Sequence, residues 1–203
     1  LYSDMQQLLE LGDDHYRNTI LDINYDPQQK DLKQAIDDLC EQAEQVVREG
    51  TVLVMLSDRA LVKGKLPIPA AMAVGAVQTR LIDANLRCDA NIVVETATAR
   101  DPHQFAVLLG FGATAVYPYL AYEALGKLID DKALEKDYRD VMQNYQYGIN
   151  KGLYKIMSKM GISTIASYRC SQLFEAVGLS QEVVDLCFKG VTTRIEGANF
   201  DDF

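Results

Sequence analysis

The sequence has no tryptophan, two histidines and only four cysteines in 203 residues. Cys40, Cys88, Cys170 and Cys187 stand far apart with no Cys-x-x-Cys pair, and His15 and His103 are equally isolated. Zinc and iron–sulfur sites draw on clustered ligands, so this spacing excludes their usual forms. A membrane-spanning helix needs about 20 nearly uninterrupted apolar residues; the longest candidate here runs only from Ile68 to Val77. Positive charge is also scarce. There are 20 basic and 29 acidic side chains, a net charge of −9 and a pI near 4.7. Such a chain repels phosphate backbones and anionic lipid, so neither nucleic acid nor a membrane is an expected partner. The opening Leu1-Tyr2-Ser3-Asp4 has no basic segment, signal core or initiating Met and reads as part of something longer. The scattered thiols point to a reducing, cytoplasmic compartment.

What is present is core-forming material: 48% of residues are hydrophobic and the charges are interspersed rather than blocked, which excludes a disordered chain. No linker or fixed-period repeat divides the sequence, so residues 1–203 read as one domain, with βα units over about 19–130 and a helix-rich part over 132–203. Thr19–Ile23 alternates apolar and polar positions as a strand does. Leu32, Ala35, Ile36, Leu39, Cys40, Ala43, Val46 and Val47 form one helical stripe that Gly50 stops. Thr51–Leu56 is a continuous apolar run, the mark of a strand covered on both faces. Pro67 and Pro69 open a small-residue helix, Ile92–Val94 makes another buried strand, and Asp101-Pro102 starts a helix that Gly110 and Gly112 stop. Ala115–Tyr117 is a further strand, followed by a helix from Leu120 to Leu128. Alternation of this kind with short connections predicts a parallel α/β sheet. Beyond Lys132 the pattern predicts a helix over Leu134–Lys159, with Tyr138, Tyr145 and Ile149 among its packed positions. A brief strand at Ile162–Ile165 and helices over Cys170–Val177 and Ser180–Phe188 follow.

Parallel α/β folds bind ligands at the carboxyl ends of their strands. Three turns qualify: Ser57-Asp58-Arg59, Glu95-Thr96 and Tyr117-Pro118-Tyr119. Adjacent strands place Asp58, Arg59 and Glu95 in one polar patch. Two carboxylates around an arginine suit an anionic substrate or acid–base work. They equally suit a structural ion-pair cluster that orients loops, the option that carries more weight because such networks arise without catalysis. The other features are weaker. Gly110-Phe111-Gly112 closes a helix instead of opening one, so it makes a poor phosphate loop. His103 sits in a first helical turn as a capping or surface residue. Ser163, Ser167 and Ser171 have no histidine near them in sequence, and Tyr138, Tyr145, Tyr147 and Tyr154 read as helix packing. No complete catalytic set is present.

Three stretches go beyond pattern. One is Val54-Met55-Leu56-Ser57-Asp58-Arg59 with Pro67-Ile68-Pro69 and Ala73–Val77; another is Ile92-Val93-Val94-Glu95-Thr96 with Phe105–Ala113. The third runs from Asn150-Lys151-Gly152-Leu153-Tyr154-Lys155 through Met157-Ser158-Lys159-Met160-Gly161-Ile162-Ser163-Thr164 to Ser167-Tyr168-Arg169 and Phe174–Leu179. Together they resemble the central domain of the large subunit of bacterial NADPH-dependent glutamate synthase. The resemblance implies a parent enzyme in which a cysteine amidotransferase domain releases ammonia from glutamine. That ammonia passes through a tunnel to an FMN-binding barrel, where 2-oxoglutarate is converted to glutamate. The implied parent cofactors are FMN, iron–sulfur clusters and, through a small subunit, FAD and NADPH. The catalytic cysteine, the clustered iron–sulfur cysteines and the glycine-rich flavin segments have no counterpart in this sequence, so no cofactor is expected in it. The implied fold is an incomplete parallel βα barrel or open sheet with a helix-rich C-terminal third. The implied role is a non-catalytic connection between the amidotransferase and FMN-binding domains. Lys159, Met160, Gly161, Ile162 and Ser163 would then face the flavin domain, as an interdomain edge or as part of the ammonia route. A domain with its own small-molecule site at the strand ends, or one docking the small subunit, are the alternatives.

Overall fold

A computed structural model describes residues 2–10 and 14–203. A short helix α1 (Tyr2–Leu9) precedes four parallel strands: β1 (Asn18–Asp22), β3 (Leu53–Ser57), β5 (Asn91–Glu95) and β6 (Ala115–Tyr117). Three helices connect them in turn: α2 (Leu32–Arg48), α3 (Ala70–Asp83) and α4 (Pro102–Gly110). The strand order is β1-β3-β5-β6, so each strand lies beside its sequence neighbour and the sheet stays open. A small antiparallel pair, β2 (Asn24–Tyr25) and β4 (Leu66–Pro67), sits beyond the ends of β1 and β3.

Local chemistry fixes the helix ends. Asp31 accepts the Gln34 backbone N–H while the Gln34 side chain returns to the Asp31 N–H, a capping box that starts α2. Asp101 and Gln104 repeat the device at α4, with Pro102 at the first helical position. The strands then sort their side chains by parity. Leu21, Leu56 and Val94 share one register row and Val54 with Ile92 another. All five join Ile36, Leu39, Ala73, Val77, Leu81 and Phe105 in one buried cluster beneath the helices. Each of the larger side chains among them contributes about 1.5–3 kcal/mol by leaving water. The opposite row, Ile20, Met55 and Val93, faces away from that cluster, and Ile20 on the open edge is 51% exposed.

After β6 come α5 (Tyr119–Asp130), the long α6 (Tyr138–Met160) and the single turn α7 (Ile165–Tyr168). A second, two-stranded parallel sheet follows, β7 (Glu175–Leu179) and β8 (Thr192–Ala198), joined by α8 (Gln181–Cys187). α6 packs on α4, and α8 packs on α3. The α3–α8 approach depends on Gly75, where a Cβ would lie 1.8 Å from the Cys187 carbonyl oxygen.

The structure corrects the sequence-based expectations in the C-terminal third. Helix α6 starts at Tyr138 instead of Leu134 because Asp137 caps it, accepting the Arg139 N–H. Residues 162–164 are not a strand; they lead into α7, which Thr164 caps through the Ser167 N–H. The expected helix over Cys170–Val177 is absent. Cys170 and Gln172 adopt left-handed φ values of 55° and 54°, which no continuous α-helix tolerates, and residues from Glu175 pair with β8. The apolar spacing of Cys170, Leu173, Phe174 and Val177 imitated a helical stripe, yet Val177 is 68% exposed. Of the four tyrosines read as helix packing, Tyr145 is half-buried, whereas Tyr138, Tyr147 and Tyr154 are exposed.

Candidate functional site

The carboxyl ends of β3, β5 and β6 meet at one cluster. Asp58 follows β3, Glu95 ends β5, and both are buried. The Asp58 carboxylate accepts the Thr96 hydroxyl at 2.6 Å and the Ala97 backbone N–H at 3.1 Å to each oxygen. Glu95 accepts the Ser57 hydroxyl at 2.6 Å through Oε2 and Arg59 Nη1 at 3.0 Å through Oε1. The other Arg59 nitrogen, Nη2, donates to Glu123 Oε1 at 2.9 Å. Its guanidinium lies 4.7 Å over the Tyr119 ring. The three residues singled out in the sequence, Asp58, Arg59 and Glu95, are therefore brought together.

Electrostatics at the cluster follow from burial and pairing. Burial opposes the Arg59 charge, but the hydrogen bond and charge of Glu95, joined by Glu123, outweigh it and hold the guanidinium above its ordinary value. Burial, then the hydrogen bond to Asp58, raises the Tyr119 hydroxyl well beyond its usual range. Tyr117 is raised mainly by burial. Both phenols stay protonated at neutral pH, as donors and ring surfaces rather than bases.

Sequence reading missed Glu123 as a member of this site. Its signal lay in helical spacing: Glu123 is four residues after Tyr119 on α5 and so shares its face. Ser57, Thr96 and Tyr119 lay in the turns already singled out, but their bonds to the carboxylates were not legible. The segment from Lys159 to Ser163 lies elsewhere, at the end of α6. Gly161 closes that helix with φ +70°, in the left-handed region that glycine adopts freely. Lys159, Met160 and Ser163 are exposed, while Ile162 packs partly buried against the core. Among the described residues no group of three or more His, Cys, Asp and Glu side chains is placed to hold a metal.

This architecture and sequence match a known family. Residues 1–180 fit the glutamate synthase central domain. The chain belongs to that family. It is 42% identical over 168 residues to the glutamate synthase [NADPH] large chain of Bacillus subtilis, covering 83% of this chain and 11% of that one. It is 41% identical over 169 residues to glutamate synthase [NADH] of Schizosaccharomyces pombe, covering 82% and 8%. A ferredoxin-dependent glutamate synthase of Pyropia yezoensis is 41% identical over 192 residues, covering 89% and 12%. The chain thus spans about a tenth of the length of the curated relatives it matches. Among solved structures, a flavocytochrome b2 mutant with benzoylformate superposes with a TM-score of 0.50 at 16% identity, over 78% of this chain and 41% of that one. That likeness is one of fold alone.

A phosphate needs free backbone N–H groups or an uncommitted cation at the strand ends. Here Ala97 N–H is taken by Asp58, and Arg59 is gripped by Glu95 and Glu123. These residues do not fit the group.

Proposed function

We propose that this central domain serves in a glutamate synthase large chain that makes glutamate from glutamine, 2-oxoglutarate and a reductant. Residues 1–203 act as one non-catalytic connecting unit between the amidotransferase and FMN-binding domains. FMN and iron–sulfur clusters belong to other parts of the chain, and FAD with NADPH to a small subunit. The single observation that carries this reading is the closure of the strand-end cluster: Asp58, Glu95 and Arg59 spend their charges on one another and on Thr96, Ala97, Ser57 and Glu123. A working acid–base pair keeps at least one group aimed at open space. The four unpaired cysteines support a reducing, cytoplasmic setting, and among the described residues no helix is long and apolar enough to cross a membrane.

The interdomain edge lies along α6. Lys151, Lys155 and Lys159 recur every fourth residue on one exposed stripe beside Tyr147 and Tyr154. None of the three forms an ion pair among the described residues, whereas eight basic side chains elsewhere do. Met160, half exposed, and Ser163 extend this edge toward the flavin domain; Ile162, turned to the core, anchors it. In the intact large chain, Lys155→Glu with Lys159→Glu should lower glutamine-dependent glutamate formation several-fold while sparing the ammonia-dependent reaction. Equal loss of both, or loss of neither, would contradict the reading. The same basic face suits the second reading, docking of the small subunit, which predicts that the double variant fails to retain that subunit in a pull-down.

A further inference from the structure

At the opposite end of the sheet from the strand-end cluster, two arginines meet without a counter-charge. Arg87 lies in the turn before β5 and donates to three neutral acceptors: Gln78 Oε1, the Ala90 carbonyl at 2.5 Å and the Gly112 carbonyl at 3.1 Å. Arg169, just after α7, donates from Nη1 to the Thr114 hydroxyl at 3.0 Å. Both guanidiniums thus hold the same turn, Gly112–Thr114, that leads into β6. Thr114 in turn donates to Asn91 Oδ1 at 3.2 Å, so the acceptors around the pair are neutral. Neither arginine makes an ion pair with a carboxylate among the described residues, in a chain that carries 29 acidic side chains against 20 basic ones.

Both arginines are half-buried. Burial first, and the Arg169 charge second, push the Arg87 guanidinium below its ordinary value. Desolvation and the like charge of Arg169 therefore both act against the Arg87 charge, and no carboxylate among the described residues pairs with it. Arg169 has one of its five N–H groups bonded here. A guanidinium fork matches the two oxygens of a carboxylate or phosphate, and one such anion between the pair removes the repulsion and fills the vacant donors.

We propose that Arg87 and Arg169, astride the Gly112–Thr114 turn, form a binding site for one small dissolved oxyanion of the phosphate or carboxylate class. The site does not depend on the connecting role argued above, because it lies away from both the strand-end cluster and the α6 edge.

Cys170 supplies a reporter. It follows Arg169 directly, is exposed, and its thiol feels both guanidiniums, which favour the thiolate against the effect of burial. An anion seated between them weakens that support and slows alkylation. The experiment is peptide-resolved iodoacetamide labelling of Cys170 in the intact large chain, titrated with inorganic phosphate against potassium chloride at equal ionic strength. Phosphate should slow labelling in a saturable manner by about threefold or more, chloride should not, and Arg169→Gln should abolish the difference. Arg169→Lys, which keeps the charge but loses the fork, should weaken the apparent phosphate affinity about tenfold and carries the test where the glutamine variant does not fold. Labelling indifferent to phosphate, or slowed equally in wild type and Arg169→Gln, would overturn the proposal.

Discussion

Replacing Arg59 with methionine removes the cation of the strand-end cluster while keeping its apolar stem. Glu95, whose side chain is 12% exposed, is then left with the Ser57 hydroxyl. An under-satisfied buried carboxylate costs about 2–3 kcal/mol. The Arg59–Glu123 pair is solvent-exposed on the Glu123 side and adds at most about 1 kcal/mol. Loss of the contact with the Tyr119 ring adds about 0.5 kcal/mol, so the whole loss is on the order of 3 kcal/mol. It should appear locally. The Asp58 N–H bonded to the Glu95 carbonyl at 3.2 Å and the Thr96 N–H bonded to the Tyr117 carbonyl at 3.1 Å should exchange with deuterium on the order of 100-fold faster. Adding Glu95→Gln should recover much of that protection, because the orphaned charge is gone. Hydrogen exchange with peptide resolution on the intact large chain measures both effects. The ratio of glutamine-dependent to ammonia-dependent activity should stay constant. Unchanged exchange in Arg59→Met would refute the energetic argument, and a changed ratio would refute the structural role given to Arg59.

Other perturbations test the scaffold itself. Gly148 and Gly152 both lie on α6, but a Cβ at Gly148 meets nothing within 4 Å, whereas one at Gly152 would lie 2.3 Å from Pro102 Cγ. Thermal unfolding should therefore show Gly148→Ala stabilising by about 0.5–1 kcal/mol and Gly152→Ala destabilising by about 1–3 kcal/mol. Burial pushes the Cys40 and Cys187 thiols up to about 12. Their raised values favour the folded state below about pH 9, the ordinary thiol range, and that contribution is lost as pH climbs toward 12. Both should resist iodoacetamide at pH 8 until denaturant is added; labelling in the native state would contradict the packing. Asp101→Ala removes the acceptor for the His103 and Gln104 N–H groups at 2.9 and 3.1 Å. It should cost about 0.5–2 kcal/mol in the same unfolding assay.

The βα half of the fold was legible because each of its signals was local. Asp101 announces a helix start, Gly50 and Gly112 announce stops, and the uninterrupted Thr51–Leu56 run announces a strand covered on both faces. Beyond Gly161 the determinants are not local. The β7 strand exists because Glu175–Leu179 finds β8 across α8, and periodicity cannot see a pairing partner. The exposed Tyr147 and Tyr154 misled for a related reason: a helix with aromatics on two faces does not declare which face is covered. At the candidate site, sequence placed Asp58, Arg59 and Glu95 together because parallel neighbours align their ends. It missed Glu123 because that contact crosses from the end of β3 to the helix after β6, 64 positions on. The two arginines around the Gly112–Thr114 turn left no trace in sequence, being 82 positions apart in the chain.

The most direct test of a positioning rather than catalytic domain is glutamate formation by the intact large chain carrying Asp58→Asn and Glu95→Gln together. Both replacements keep the side-chain shape while removing charge. The account predicts ammonia-dependent turnover within about twofold of wild type, since no reacting group has been lost. A fall of about 100-fold or more in a chain that remains folded would mean that these carboxylates take part in the chemistry, and the positioning account would fail.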